Sequence, residues 1–543
     1  MAGRLPRLFR YVPHFLAAFL FIFYSYPLWS GMRLHRSIAD QDRLHHGQFL
    51  LFLRGEWRDF LKYGIGAHVL DWPPAHVLYE LTEPRPEFRD WHSPPVLNRS
   101  QLYFHYEQRT GRMSSWYHCL LGALCVSALY LILLPYLARG GALFAALVCG
   151  LQPAFVRHAC NAGTNTPLVL FALLTLYAVE RWRTRHSPAW AVAAGVFAAC
   201  AFVNKEYFAF FLLPLPLLLW ETAKKNDENF LTARTLWSGL AFAAAFLLAT
   251  AAVSLMWLDP SLYLDHLKSY FTSIGALTVK RVSFWQPVDV PWWQYPLLVL
   301  AGIWQTSDSP PLALLAFVGL YFVFVPRAER IWLLAFPAAT YFVFIPLRYN
   351  HLAYPYLFLC LPLAATAAAK SLVRALAAKN KFWPVAGTVL AAAGLLHFAA
   401  TDVLMHRDMG DDVRVQAESF FRVRRCPPTY SVGVVDPGMY GLSDYGCGRL
   451  VALDPQAIVR GDKSPESPDY LVVSGEQLAY LRGHVEGLRD APLAEAPSYL
   501  VARGKYELLH VYENRRPYLV YHLNGFNDPQ YLFRRVDTAP KPD

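Results

Sequence analysis

The chain has 543 residues, 55% of them hydrophobic and 17% charged, against roughly 25% charged in an ordinary soluble domain. Its mean hydropathy is +0.23, and Lys+Arg exceed Asp+Glu by 50 to 40. These values argue against a purely soluble protein. The basic residues lie in short runs beside apolar segments, which is the pattern of an oriented membrane protein and not a nucleic-acid footprint.

In chain order, residues 1–31 open with a basic stretch, but the apolar run is long and lacks a small-residue cleavage site. It reads as a retained first span and not as a removed signal. Apolar stretches of about 17 to 25 residues cross a hydrocarbon core of roughly 30 Å as helices, whereas open strands leave backbone polar groups unpaired. On that basis spans are expected at 12–30, 114–137, 141–157, 164–180, 189–204, 206–221, 236–257, 310–326, 330–346, 351–370 and 383–401.

With Arg4, Arg7 and Arg10 cytoplasmic, parity places Arg139, the ERWRTRH and ETAKK runs, Arg327 with Arg330, and KSLVRALAAKNK on the same side. YPLLVLAGIW, residues 295–304, is too short to span and is assigned to the outer interface, where Trp292, Trp293 and Trp304 suit an aromatic belt. Loops 31–113 and 258–309 then lie outside, as does the segment from residue 402. That segment alternates strand-like YSVGVVD, RLVALD, PDYLVVS and YELLHVY with two helix-like stretches. The expected architecture is an α-helical polytopic membrane domain, residues 1–401, with about eleven spans, followed by a small C-terminal α/β exoplasmic domain, residues 402–543. Cys426 and Cys447, both placed outside, form a plausible disulfide in an oxidising compartment.

The densest polar feature beside a span is SIADQDRLHHGQFLLFLRGEW. Asp40, Asp42, Arg43, His45 and His46 fall within seven positions. Near a bilayer a carboxylate against an apolar wall can be tuned as a general base, and Arg43, one helical turn from Asp40, can hold a phosphate bidentately. A solvated amphipathic interfacial helix explains the same composition. Farther along, GAHVLDWPPAHVLY presents Asp71 followed by Trp72 and the Pro73-Pro74 pair, which is expected to interrupt a helix.

Asp40, Arg43, Gly55 and Trp57 resemble the D-E-x-R…G-D-W signature of the GT-C class of polytopic glycosyltransferases, especially the lipid A aminoarabinose transferase and protein O-mannosyltransferase relatives. LDWPP resembles that family's E-K-P-P, and GRMSS its R-L-P-S. LQPAF…NTP is similar to its P-x-F…D-x-P segment, and PLRYNHLAYPYLFLCLP to a K/R-x-x-Y-x-x-P-x-x-P pattern. The resemblance implies transfer of a sugar from a polyprenyl-phosphate donor to a lipid, glycan or protein acceptor. It implies Asp40 as the base, with Asp42 as competitor, and Arg43 on the lipid phosphate; topology puts Arg348 at the outer end of the span 9–10 turn, where it meets a lipid phosphate or snorkels to headgroups, and Lys205 in a short turn, where it contacts phosphate or pairs with Glu206, with Arg112 and the interfacial Tyr354 as further phosphate-binding candidates. A divalent metal ion, seen in some relatives, would be held by Asp71 and His266. The implied setting is the bacterial inner membrane, with the N-terminus cytoplasmic and the C-terminal domain periplasmic.

Three positions depart from the pattern. Gln41 stands for an acidic residue, Trp72 for Lys, and Asn165 for Asp. Donor-phosphate handling therefore differs, or Arg348, Arg112 or Lys205 compensates. The rival reading from another class is a transporter or lipid flippase, although no paired halves are evident and the mid-membrane positions carry few charges.

Overall fold

The computed structural model describes residues 11–29, 65–82, 99–160, 163–185, 187–205, 208–216, 233–254, 257–272, 309–324, 337–340, 358–410, 413–423, 430–435, 449–453, 467–484, 506–513 and 529–536. The chain divides into two compact units, with the main boundary at Val403–Leu404.

The first unit is helical. In chain order it comprises α1 (Val12–Trp29), α2 (Ile65–Thr82), α3 (Arg99–Leu133), α4 (Arg139–Gly150), α5 (Pro153–Ala159), α6 (Asn165–Arg185), α7 (Pro188–Asn204), α8 (Ala233–Val253), α9 (Pro260–Thr272), α10 (Pro310–Phe324), α11 (Leu361–Leu376) and α12 (Phe382–Gly410). Among the described residues five helical stretches are long and apolar enough to cross a membrane: Val12–Trp29, Met113–Leu133, Leu236–Val253, Phe358–Leu376 and Phe382–Arg407. These coincide with expected spans. Of the expected span at 206–221, residues 208–216 are described and hold a short helix, Ala209–Leu212, while that at 330–346 falls largely outside the described residues, as do the interfacial segment 295–304 and both Cys426 and Cys447.

Residue spacing on α1 shows why such a helix belongs in lipid. Leu16, Leu20, Tyr24 and Leu28 recur at i, i+4, i+8 and i+12 and are buried, while Phe15, Phe19, Ile22 and Tyr26 on the opposite face are apolar and exposed. A helix that is hydrophobic all round suits a membrane span. Small residues set the closest helix approaches. A Cβ at Gly319 of α10 would run into the Ala367 backbone of α11, and one at Gly195 of α7 would meet the Phe242 carbonyl of α8. Close backbone approach of this kind is the usual packing solution where lipid leaves no hydrophobic drive between helices.

Two sequence expectations need correction. The stretch 141–157 is not one straight span, because α4 and α5 are bent by 67° relative to each other. Pro153 cannot donate, and it holds Gln152 in an extended conformation at φ −67°, ψ 125°. Conversely, Pro73 and Pro74 do not interrupt α2, which runs through both. The proline φ of about −65° is itself helical. The buried stripe Asp71, Ala75 and Tyr79, at i, i+4 and i+8, holds the helix against its neighbours despite the missing N–H groups. The second expected span is the apolar part of a longer helix that begins at Arg99.

At the α4–α5 break the Tyr24 hydroxyl donates to the Gly150 carbonyl at 2.7 Å, and the Cys160 thiol donates to the Tyr24 carbonyl at 3.0 Å. The Gly150 carbonyl at the bend is thus met from α1, and the end of α5 in turn meets a carbonyl of α1. Tyr24→Phe keeps the ring and removes this donor. It should lower stability by about 1–2 kcal/mol, read as a lower thermal midpoint of the detergent-purified chain with unchanged helical circular dichroism.

The second unit is a mixed five-stranded sheet flanked by helices. Its strands are β1 (Ser431–Val435), β2 (Arg449–Leu453), β3 (Tyr470–Ser474), β4 (Tyr506–Tyr512) and β5 (Gln530–Arg535), in the order β2-β1-β3-β5-β4. β1 pairs in parallel with β2 and β3, while β5 pairs antiparallel with β3 and β4. Leu471 and Val473 face a cluster completed by Leu478 and Leu481 of α14 (Gly475–His484). Val472 faces the other side, with Phe421 of α13 (Val413–Val423). α14 starts with a capping box, in which Gln477 N–H donates to Ser474 Oγ and Ser474 N–H donates to Gln477 Oε1. Four of the strands and both helices follow the sequence reading. β5 was not anticipated.

Asp469 fastens one end of this sheet. Its Oδ2 accepts from Ser431 N–H at 2.8 Å and from Ser431 Oγ at 2.9 Å, and Arg535 Nη2 lies 3.5 Å from its Oδ1. The buried Tyr506 hydroxyl donates to the neighbouring Pro468 carbonyl at 2.9 Å. Burial pushes the Tyr506 phenol well above its ordinary pKa of 10.0, Arg535 opposes the rise and Asp469 adds to it. A folded-state pKa raised in this way contributes stability that is complete below about pH 10 and is lost as pH rises through the folded value. Chemical unfolding of the full chain from about pH 8 to about pH 11 should therefore show an alkaline loss of stability that is shallower in Tyr506→Phe.

Candidate functional site

The buried polar centre of the helical unit is built from three pieces of chain that are distant in sequence. α2 supplies Asp71 on its buried stripe. α3 supplies Ser114 and His118, four residues apart and therefore on one face. The turn between α5 and α6 supplies the Gly163 carbonyl. All three side chains are buried, with Ser114 and His118 at 0% exposure and Asp71 at 1%.

Ser114 Oγ donates to Asp71 Oδ2 at 2.5 Å, and His118 Nδ1 lies 3.5 Å from Asp71 Oδ1. The other ring nitrogen of His118, Nε2, stands 2.9 Å from the Gly163 carbonyl, while Nδ1 is also 2.9 Å from the Ser114 carbonyl. Carbonyl oxygens only accept, so both contacts are hydrogen bonds at once when each ring nitrogen carries a proton. The adjoining turn is fixed in a related way. Thr166 Oγ1 donates to the His158 carbonyl at 2.9 Å, Asn165 Nδ2 lies 3.3 Å from His158 Nδ1, and the His158 ring meets Phe358 edge-on at 4.4 Å.

Of the residues nominated from sequence, Asp71 and Lys205 are described in full. Lys205 is buried and caps the C-terminal end of α7 in an extended conformation, its N–H donating to the Ala201 carbonyl at 3.2 Å. Arg112 lies on α3 one turn before Ser115, and His266 lies on α9, but the side chains of both are outside the described residues. Asp40, Asp42, Arg43, Arg348 and Tyr354 also lie outside them, as does Glu206, the expected neighbour of Lys205.

Ser114, His118, Gly163 and His158 were not singled out by sequence reasoning. The one available signal was the i, i+4 pairing of Ser114 with His118 at the start of an apolar stretch. Asp71 Oδ2 takes the Ser114 hydroxyl and Oδ1 lies 3.5 Å from His118 Nδ1, while the side chain of His266, its expected partner in a metal site, lies outside the described residues. Among the described residues no group of three His, Cys, Asp or Glu side chains is arranged to hold a metal ion.

Residues 108–264 match the family model described as dolichyl-phosphate-mannose-protein mannosyltransferase. That segment includes Ser114, His118, His158, Gly163 and Asn165, and the resemblance to GT-C membrane glycosyltransferases is borne out there. No curated protein matches the chain. Among solved structures, the chain is similar to ArnT from Cupriavidus metallidurans bound to undecaprenyl phosphate, at 13% identity and a TM-score of 0.46, over 100% of both chains. It is also similar to the Archaeoglobus fulgidus oligosaccharyltransferase in complex with Zn and sulfate, at 14% identity and a TM-score of 0.39, over 72% of this chain and 59% of that one.

Ser114→Ala would leave Asp71 Oδ2 without this donor in a fully buried setting. The expected cost is about 1–3 kcal/mol, measured as a fall in the thermal midpoint of the full chain in detergent.

Proposed function

We propose that the chain is an integral membrane glycosyltransferase that moves a sugar from a polyprenyl-phosphate donor to an acceptor on the exoplasmic face. The match of residues 108–264 to the mannosyltransferase family model carries this reading. The polar, outward-facing loop 31–113 supports it, because that loop supplies Asp40 and Arg43 at the spacing of the GT-C signature.

In this mechanism Asp40, or Asp42 in its place, accepts the proton of an acceptor hydroxyl or amine as that atom forms a bond to the anomeric carbon. The bond from that carbon to the phosphate oxygen breaks, and its electron pair leaves with polyprenyl phosphate. Arg43 and Arg348 stabilise the charge growing on the phosphate, an effect that is larger where water is excluded. A single displacement inverts the anomeric centre. The donor needs no nucleotide cradle, and the sequence holds no P-loop or G-x-G-x-x-G. The proposed setting is a bacterial inner membrane with the N-terminus cytoplasmic and the C-terminal α/β unit periplasmic.

Native mass spectrometry of the purified chain should reveal a copurifying polyprenyl-phosphate sugar. Asp40→Asn should insert normally and lose transfer from that donor by at least about a hundredfold, the usual scale of a general base. Full transfer by Asp40→Asn together with loss in Asp42→Asn would move the base by two residues. Retention of full transfer in the double variant would sink the mechanism, and transport of a lipid without any transfer would favour a flippase.

A further inference from the structure

The end of the helical unit opposite Ser114 and His118 carries a group of cations that the proposed reaction does not use. The apolar parts of α3 and α6 both leave the polar centre, α3 from Ser114 and His118 and α6 from the Gly163 turn. Their far ends lie together, and Tyr136, just beyond α3, stands beside Glu180 and Arg183 near the end of α6. The start of α4 meets the end of α11, since a Cβ at Gly141 would press on Val373. Arg139, Arg181, Arg183, Arg185 and Arg374 sit on these helix ends, and Lys381 in the turn after α11. Among the described residues Glu180 is the one carboxylate there. Arg183 takes it as a fork, Nε donating to Oε2 at 2.9 Å and Nη2 to Oε1 at 2.8 Å.

Arg181 is braced on aromatic rings. Its Nε donates to the Tyr177 hydroxyl at 3.0 Å, and its guanidinium carbon stands 5.0 Å from the centre of the Tyr177 ring. Trp190, at the start of α7, meets that ring edge-on at 5.9 Å. These contacts fix the guanidinium, and among the described residues no carboxylate pairs with its terminal nitrogens. Two N–H groups presented side by side match two oxygens of a phosphate. The helix dipole favours cations in the last turn of α6 but requires no such brace. Arg185, exposed one helical turn farther on, adds a second positive charge.

An apolar surface continues from this point along α7. Ala189, Val192 and Val196 recur at i, i+3 and i+7 and are exposed. A phosphate that carries acyl chains meets both the fork and this helix face, whereas a free phosphate meets the fork alone.

We propose that Arg181, braced by Tyr177 and Trp190, binds the headgroup phosphate of an anionic phospholipid whose acyl chains lie along α7. This goes beyond the transferase reading and does not depend on it.

The full chain, delipidated in detergent, is titrated with phosphatidylglycerol or phosphatidylcholine and followed by native mass spectrometry. Phosphatidylglycerol should be preferred by at least about tenfold. Equal retention of the two lipids would overturn the proposal, and this arm needs no variant to fold.

Arg181→Gln should weaken phosphatidylglycerol binding by at least about tenfold, the scale of a lost charge-assisted pair. Arg181→Lys keeps the charge without the fork and should weaken it by at least about threefold. Lys381→Gln removes one charge from an exposed position at the same end and should stay within about twofold of the wild type. An equal loss in Lys381→Gln, or wild-type affinity in Arg181→Lys, would reduce the site to general charge attraction and overturn it.

Tyr177→Phe keeps the ring and removes the acceptor for Nε, so it tests the brace even where the arginine variants do not fold. It should weaken binding by about threefold; unchanged binding would overturn the brace. Displacement of bound phosphatidylglycerol by millimolar sodium phosphate would assign the fork to free phosphate and overturn the lipid.

Discussion

The absence of water inside a bilayer is the constraint on which this structure rests. Every peptide group that leaves a helical ladder must find a partner within the protein, and two such carbonyls among the described residues show theirs. The bend between α4 and α5 exposes the Gly150 carbonyl, and Tyr24 meets it. The turn before α6 exposes the Gly163 carbonyl, and His118 meets it. In both cases the side chain comes from a helix far away in sequence, so the satisfaction of one irregular turn also fixes the relative placement of two helices.

This coupling explains the division between what could and could not be read in advance. Hydropathy located the five long apolar helices found among the described residues because it is local and periodic. The four strands whose runs are bounded by turn residues were likewise legible, as was the capped helix after Ser474. β5 was not, because QYLFRR buries Leu532 and Phe533 in succession on opposite faces and ends in two arginines. It reads as a charged tail, yet its place between β3 and β4 supplies the antiparallel half of the sheet. Arg535 then serves the fold, one guanidinium nitrogen donating to the Ser467 carbonyl and another lying beside Asp469.

The polar centre was legible only in fragments for the same physical reason. Asp71 stood out because a carboxylate beside a proline pair is conspicuous, and its helix was expected to stop there. Continuity of α2 through Pro73 and Pro74 changes the meaning of the residue, since it sets Asp71 in line with Ala75 and Tyr79 on a buried stripe. A carboxylate in a broken loop is available to ligands. A carboxylate on the inner face of an intact helix must be neutralised by its own protein, because an unpaired buried charge is far more costly than any single hydrogen bond gains. Ser114 and His118, 43 and 47 positions later, supply the donor and the ring, and no local pattern announces a pairing at that distance.

The departures from the GT-C pattern take on a different sense beside this geometry. Trp72 in place of Lys removes a cation next to Asp71, and Asn165 in place of Asp removes an anion near the start of α6, so the two changes cancel in net charge. They do not cancel in position. Position 72 adds no lysine beside Asp71, whose carboxylate takes the Ser114 hydroxyl and lies 3.5 Å from His118, a ring that reaches onward to the Gly163 turn; at position 165, His158 faces an amide.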